Sequence, residues 1–444
     1  MVEAAEVARA HRDELLGRPA RVFSRREPRL QAGKYVEGLL SEIPRKNGWS
    51  LAQRSGDRSP DRMQRLLNHA VWDEHDAMGI VGGFVIEHLG CPDAVAVLDE
   101  TGQQKKGEHT AGVARQYVGC AGQVANSVNI VYCTYAGSRG HAQVGARLYL
   151  PKDWAGDPER RERAEVGADV VFQTKPQLAV DLLTDLDTAG VLPPWVSADE
   201  VYGRDPAVRA FCEDRGVGYV LGVPCSFTLT LSSGRRVRAD QALKLMPARA
   251  WNRASCGPGS KGDRTYAWAW IATASPRHHL LVRRNLHDPT DEAYFFCYIP
   301  DGRPVTLGTL VRVAGMRWPV EEDFQVGKDQ FSLDHSQVRL YTALIRHLVL
   351  TMTALAISAV TTATMPQTTS TLPPAPTHPE DPPPEDPGLI PLTVAEVKRL
   401  LILLTPTRCR PILHLHWAWW RRRHQARARW FHQRTRLRHE TTTA

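Results

Sequence analysis

The chain has 444 residues, of which 42% are hydrophobic and 23% charged, so it is too long for one core and should divide into two to four domains. Its eight cysteines include no CxxC pair, which argues against a structural zinc and suits reduced thiols. The net charge of +8 is concentrated in residues 405–444, where ten arginines and one acid, Glu440, give a local +9 and leave the rest at −1. A charge excess so placed points to a polyanionic partner, nucleic acid first. Met1–Arg18 is charged and helix-prone, unlike a signal peptide. The longest uncharged apolar run, Leu348–Ala363, falls short of the roughly 20 residues that span a bilayer and reads as a buried helix. No membrane partner is expected.

Residues 1–88 read as an all-helical, DNA-binding domain. Helical spacing runs over Pro28–Leu40 and Ser59–His69, the second with Ser59 as cap and Pro60 at the first helical position. The segment between them, through Gly56, fits a helix-turn-helix with Arg58, Arg62 and Arg65 on its second helix, or a plain helical hairpin. From Val95 the pattern changes to strands. Ala94–Gly107 (AVAVLDETGQQKKG) is a short apolar run that ends in Asp99, the pattern of a buried strand. Gly112–Gly119 and Val124–Tyr135 follow as a hairpin, then a strand at Ala146–Leu150. Lys175–Gly190 is an amphipathic helix, Trp195–Tyr202 a strand carrying Asp199 and Glu200, Asp205–Gly216 a helix and Tyr219–Val223 a strand. Residues 89–223 therefore form the first part of a mixed α/β sheet flanked by helices. Four strand-like stretches at 224–303 interrupt it as a β-rich insertion. The helical chain resumes at 304–364, a proline-rich linker covers 365–391, and residues 392–444 hold a short helix with a capping box at Thr393 and Glu396, then the Arg/Trp tail.

Three acids stand out. A lone strand-end aspartate most simply caps the next turn, but Asp99 has company in Asp199 and in Glu321, near the start of a helix expected to begin at Pro319. Glu321, Phe324 and Lys328 share one face of that helix. Hydrolysis or transfer of a phosphodiester needs an activated oxygen nucleophile and a stabilised leaving oxygen, and two Mg²⁺ ions held by carboxylates from separate elements supply both. Three converging carboxylates would otherwise repel one another and raise at least one pKa.

The segments VLDETG, VSADEVYG and RWPVEEDFQVGK resemble the three acid-bearing motifs of the DDE transposases of bacterial insertion sequences. Further stretches, DETGQQKKGEHTAGVARQYVG, ARLYLPKDW and GSKGDRTYAWAW, are similar to the branch numbered 701, and the likeness spans roughly residues 25–362. The last motif is similar to a Tyr-x2-Arg-x3-Glu-x6-Lys signature, with Arg317, Glu321 and Lys328 in register and Ala314 at the tyrosine position. The resemblance implies an RNase H-like fold with a β-rich insertion. It implies Asp99, Asp199 and Glu321, not Glu100, Glu200 and Glu322, as catalytic residues and ligands of two Mg²⁺ ions, with Mn²⁺ able to substitute. It implies end cleavage and 3′-hydroxyl joining on double-stranded DNA, a homodimer on that DNA, and a bacterial cytoplasmic, nucleoid-associated location. A domesticated DNA binder and a nuclease that never joins are the alternatives.

Further residues are candidates for DNA contact: Lys105, Lys106 and Arg115 after the first acid, Lys261 and Arg264 in a Gly-rich loop, Arg317 and Lys328 around Glu321, and Arg421, Arg422 and Arg423 in the tail. For Lys105, Lys106 and Arg115 the alternative is a solvated charge, and for the tail it is that Trp417–Trp420 pack on the body of the protein while the arginines are merely solvated. Trp251, Trp268 and Trp270 are placed to stack on a flipped base or simply to pack the insertion. The proline-rich tether should let the tail move independently.

Overall fold

The computed structural model describes residues 2–119, 122–259, 262–365, 382–386, 388–404 and 411–442. The N-terminal stretch folds as α1 (Val2–Gly17), α2 (Arg26–Leu39), α3 (Gly48–Arg54), α4 (Asp61–Asn68) and α5 (Glu74–Leu89). α3 and α4 make a tight hairpin. Asn47 caps α3 by accepting from the Trp49 and Ser50 amides, and the chain reverses at Gly56, whose φ of 80° suits glycine. Ser59 bonds the Asp61 carboxylate at 2.8 Å and does not cap the backbone, so α4 starts at Asp61.

One ten-stranded sheet forms the centre. β1 (Val95–Gln104) pairs antiparallel with β3 (Gln123–Gly137), whose far edge is shared by β2 (Ala114–Val118) and β4 (Gly140–Leu148). On its other side β1 runs parallel to β5 (Trp195–Ala198), and β5 parallel to β6 (Gly218–Val223). The order β4-β3-β1-β5-β6, flanked by helices, is the RNase H-like mixed sheet expected. The connections carry α6 (Lys152–Ala155), α7 (Pro158–Arg163), α8 (Lys175–Thr188), α9 (Glu200–Gly203) and α10 (Pro206–Asp214).

Residues 224–303 supply β7 (Thr228–Thr230), β8 (Arg236–Arg238), α11 (Ala239–Lys244), β9 (Asn252–Gly259), β10 (Gly262–Ala272), β11 (His278–Arg284) and β12 (Glu292–Tyr298). β12 pairs antiparallel with β6, and the sheet continues through β11 and β10 to β9. The β-rich stretch thus grows out of the main sheet, while β7 and β8 form a small separate ribbon over their own core of Leu229, Val237, Leu280 and Tyr294. Trp268 is 1% exposed and lies 6.1 Å from the Phe295 ring, so it packs the core.

The chain ends in α12 (Leu307–Gly315), α13 (Trp318–Phe331), α14 (Tyr341–Thr364), α15 (Val394–Leu404) and α16 (Pro411–Thr442). α14 is the one helix among the described residues long and apolar enough to cross a membrane, and its whole apolar window is buried inside the protein. Its hydroxyls fit that setting because Thr351, Thr353, Ser358 and Thr361 each donate to the carbonyl one turn back, at 2.7–3.0 Å. Arg346 is buried too, and donates to Leu67 and Trp72 carbonyls and to Glu74. Thr393 accepts from the Glu396 amide, as its capping-box spacing predicts. Most of the proline-rich linker lies outside the described residues.

β5 is shorter than predicted. It stops at Ala198 because the Asp199 carboxylate accepts from the Val201 amide at 2.8 Å and turns the chain into α9. α9 then lies directly on β6. A Cβ on Gly203 would fall 2.0 Å from the Gly222 carbonyl oxygen, and one on Gly222 would fall 3.1 Å from the Asp199 carbonyl carbon. These two glycines let the Asp199 turn settle against the sheet. Gly203→Ala is expected to lower unfolding stability by about 1–3 kcal/mol, measured by urea denaturation; an unchanged midpoint would show that the close approach is not needed.

Candidate active site

Leu98 and Ala198 are partners in the parallel register of β1 and β5. Asp99 does not end its strand, as the sequence pattern predicts, because β1 stays paired with β3 as far as Gln104. It lies where the parallel pairing with β5 stops, next to Asp199 just past the carboxyl end of β5, on strands about 4.8 Å apart. Glu321 arrives from the first turn of α13. One guanidinium joins the set: Arg317 Nη1 is 3.1 Å from Asp99 Oδ2 and 3.9 Å from Glu321 Oε1. Arg317, grouped with the DNA contacts on sequence, is thus turned inward to the carboxylates.

The electrostatics follow from confinement. Asp99 is 7% exposed. Burial pushes its carboxyl up to about 8; Arg317 offsets only part of that, and the charges of Asp199, Glu100 and Glu321 add to the rise. Asp199 is raised as well, by burial first and then by Glu100.

The neighbouring acids each have a partner of their own, although Glu100 stays close enough to raise Asp99 and Asp199. Glu100 accepts from Lys175 at 2.5 Å and from the Tyr202 hydroxyl at 2.6 Å, which ties β1 to α8 and α9. Glu200 pairs with Arg204 at 3.0 Å on the surface. Glu322 meets His141 at 3.3 Å and the Trp318 indole at 3.2 Å.

α13 is held to the sheet by a clamp that sequence reasoning did not find. His141 on β4 donates through Nδ1 to the buried Asp323 at 2.9 Å and faces Glu322 through Nε2. Thr134 donates to the other Asp323 oxygen at 3.3 Å, and Tyr132 packs its ring 5.2 Å from Phe324. Burial would lower the His141 pKa, but Asp323 and Glu322 raise it to about 10. No local signal marks His141; only the β3–β4 register brings it to α13. The helix itself starts at Trp318, one residue before the predicted Pro319. Arg317 already has helical angles, so the chain passes from α12 into α13 without an extended residue, and Pro319 sits where its missing N–H costs nothing.

The other predicted residues divide into engaged and exposed. Lys328 Nζ donates to Thr101 Oγ1 at 2.7 Å, two residues beyond Asp99. Lys105 turns inward to the Ser336 carbonyl at 2.8 Å, with its pKa lowered to about 8 by burial. Arg264 is spent on the Cys256 and Gly315 carbonyls, both at 3.3 Å, and lies over the Trp318 ring, which binds the β9–β10 hairpin to the α12–α13 junction. Lys106 and Arg115 are exposed. Lys261 lies outside the described residues. Arg421 donates to Gln53 at 2.7 Å, whereas Arg422 and Arg423 are exposed.

A family profile described as "DDE superfamily endonuclease" matches residues 20–254, more than half of the chain. The chain belongs to the DDE superfamily of endonucleases. A second profile, "Transposase DDE domain", matches residues 173–357 of this DDE enzyme. It is 28% identical over 313 residues to the "Probable transposase for insertion sequence element IS701" of Microchaete diplosiphon, a match spanning 68% of this chain and 75% of that protein. Its fold is similar at a TM-score of 0.45 and 10% identity to piggyBac transposase, solved as a synaptic complex with hairpin DNA, over 89% of this chain and 76% of that one. That last likeness is too distant to carry weight.

DDE nucleases generally use divalent metal ions. The donor set here suits one: hard carboxylate oxygens from three elements, crowded enough that Asp99 loses its charge through most of the neutral range. A buried carboxyl raised in this way stabilises the fold below about pH 4, and that contribution is lost as pH rises through about 8. Asp99→Asn should therefore raise the ion-free melting temperature far more at pH 8.5 than at pH 4. Added Mg²⁺ should raise the wild-type value at pH 8.5 and leave the variant unmoved. Equal Mg²⁺ shifts in both proteins would remove Asp99 from the ligand set.

Proposed function

We propose that this DDE enzyme is the transposase of an insertion sequence. It binds the ends of the element as duplex DNA, cleaves them by Mg²⁺-dependent hydrolysis and joins the freed 3′-hydroxyls to target DNA. The observation that carries this reading is the gathering of Asp99 and Glu321 on one guanidinium, with Asp199 on the strand beside Asp99 at the level where β5 ends. These carboxylates would hold two Mg²⁺ ions, with Mn²⁺ able to substitute, whose chemistry when bound is activation of an oxygen nucleophile and neutralisation of charge at the phosphodiester.

The remaining work belongs to the chain. Arg317 orients Asp99 and reaches toward Glu321. His141, through Asp323 and Glu322, keeps α13 seated so that Glu321 stays over β1. Lys328 presents an ammonium on the Glu321 face of α13, placed to hold a phosphate next to the scissile one. One set of carboxylates serves both reactions. In cleavage a water oxygen attacks phosphorus and the 3′-oxygen leaves; in joining that 3′-hydroxyl attacks a target phosphate and displaces its 3′-oxygen. Because two ends are processed together, a homodimer assembled on DNA in the bacterial nucleoid is the working form.

Labelled transposon ends incubated with Mg²⁺ and a target plasmid test this directly. Wild-type protein is expected to give 3′-hydroxyl ends and joined products. Asp99→Ala, Asp199→Ala and Glu321→Ala should each lower cutting by about 10²-fold or more while end binding stays within about twofold, because phosphate contacts and not the carboxylates anchor the duplex. Glu322→Gln should still cut, and Lys328→Ala should weaken end binding. Cutting without joined product would reduce the protein to a nuclease, and binding without cutting to a DNA-binding relative.

A further inference from the structure

The tail is not free. α16 docks on the α3–α4 hairpin at the opposite end of the chain. Trp417 is completely buried and its indole donates to the Asp57 carbonyl at 2.9 Å, inside the hairpin turn. His416 donates to the Arg58 carbonyl at 2.8 Å, and Arg421 to Gln53 on α3. Trp420 meets Trp49 edge-to-face at 4.9 Å and stacks on His424. Docking residues recur on one side of the helix, and the residues from Gln425 to Arg434 are exposed apart from Ala428. The helix therefore continues about 27 Å past its last docked residue, at 1.5 Å per residue.

What faces outward is of one sign. Arg422 and Arg429, seven residues apart, share the face opposite Trp417, flanked by Arg423, Arg427 and Arg434. Exposed Trp419 and Trp430 lie among them. The hairpin beneath adds exposed Arg58, Arg62 and Arg65. Its own acids offset these only in part: Asp57 is buried against Lys34 and Gln31 and lies 3.8 Å from Arg62, and Asp61 keeps its charge beside Ser59, so the hairpin retains a positive balance through Arg58 and Arg65. A second copy of the helix is a poor occupant, since Arg422, Arg423 and Arg429 interrupt any apolar seam and would face like charge.

We propose that α16 and the α3–α4 hairpin form one composite surface for the phosphate backbone of duplex DNA, with Trp417 as the latch that aligns its two halves. The Arg/Trp helix is thus a fixed arm of the N-terminal helical region, and charge complementarity selects a polyanion. This deepens the reading of the chain as a protein that acts on DNA, but its test measures binding of a duplex lacking transposon ends and involves no cutting, so the two readings fail separately.

Full-length protein carrying Asp99→Ala is titrated with a fluorescent 30-base-pair random duplex over a range of salt. Reversing Arg422, Arg423, Arg427 and Arg429 to Glu should flatten the slope of log affinity against log salt by about 2–4, at roughly 0.9 per lost contact. Arg62→Glu with Arg65→Glu should flatten it by about 1–2. Trp417→Ala keeps every arginine, yet should weaken binding about tenfold through lost preorganisation and speed tryptic cleavage within α16. Gln53→Leu, which breaks only surface contacts of the dock, should do the same more weakly, and guards against misfolding of the Trp417 variant. Unchanged salt slopes in the arginine variants would overturn the DNA surface. Full affinity in a Trp417 variant whose tail is tryptically released would overturn the latch. A dimer that becomes monomeric on arginine reversal, with DNA affinity intact, would assign the face to a second copy.

Discussion

Like charges confined where the buried parallel pairing of β1 and β5 stops are what the rest of this structure serves. Asp99 and Asp199 sit at the same level of neighbouring strands, and Glu321 is brought to them across the sheet face. Such a cluster is unfavourable unless cations share it. Burial and three neighbouring acids lift the Asp99 carboxyl to about 8 even with a guanidinium at 3.1 Å. A site that strains its own carboxylates in this way is suited to divalent cations, and the strain itself disfavours the cation-free form.

Each acid is fixed by a different device. Asp99 is held by the β1 ladder, which is paired on both edges. Asp199 is held by its cap on α9 and by the close approach of Gly203 to β6, while Glu100 and Tyr202 tie the same turn back to β1. Glu321 depends on α13, and α13 depends on the His141–Asp323 pair beneath it. The helix most committed to the core, α14, packs against both α13 and the N-terminal helices, so the region that carries Glu321 and the region that carries the basic surface share one apolar support.

That sharing continues at the chain ends. A tail whose proline-rich tether suggests independent movement instead buries Trp417 in the hairpin turn, the packing that its tryptophans allow. Indole surface left in water is costly, and the Asp57 carbonyl offers the one partner the buried N–H needs. Apart from Arg421, which joins the dock, Arg422, Arg423, Arg427, Arg429 and Arg434 are left facing solvent, held along a helix and not spread along a coil.

Much was legible in the sequence because it is local. The apolar run before Asp99, the helix cap at Thr393, the turn glycine at position 56 and the Glu321–Lys328 spacing each depend on a few neighbouring residues. Motif register favours Asp99, Asp199 and Glu321 over their neighbours; in space Glu200 pairs with Arg204 and Glu322 with His141, while Glu100 bonds Lys175 and Tyr202 close enough to raise both aspartates. Tertiary structure alone decided the rest, because it rests on residues far apart in the chain. Only the sheet order reveals that residues 224–303 extend the main sheet. Only the β3–β4 register sets His141 under α13. Only packing turns Arg317 inward, occupies Lys105 and Arg264 with carbonyls, and joins residue 417 to residue 57. A side chain's type states what it is able to bind, but its neighbours in space decide which partner it has.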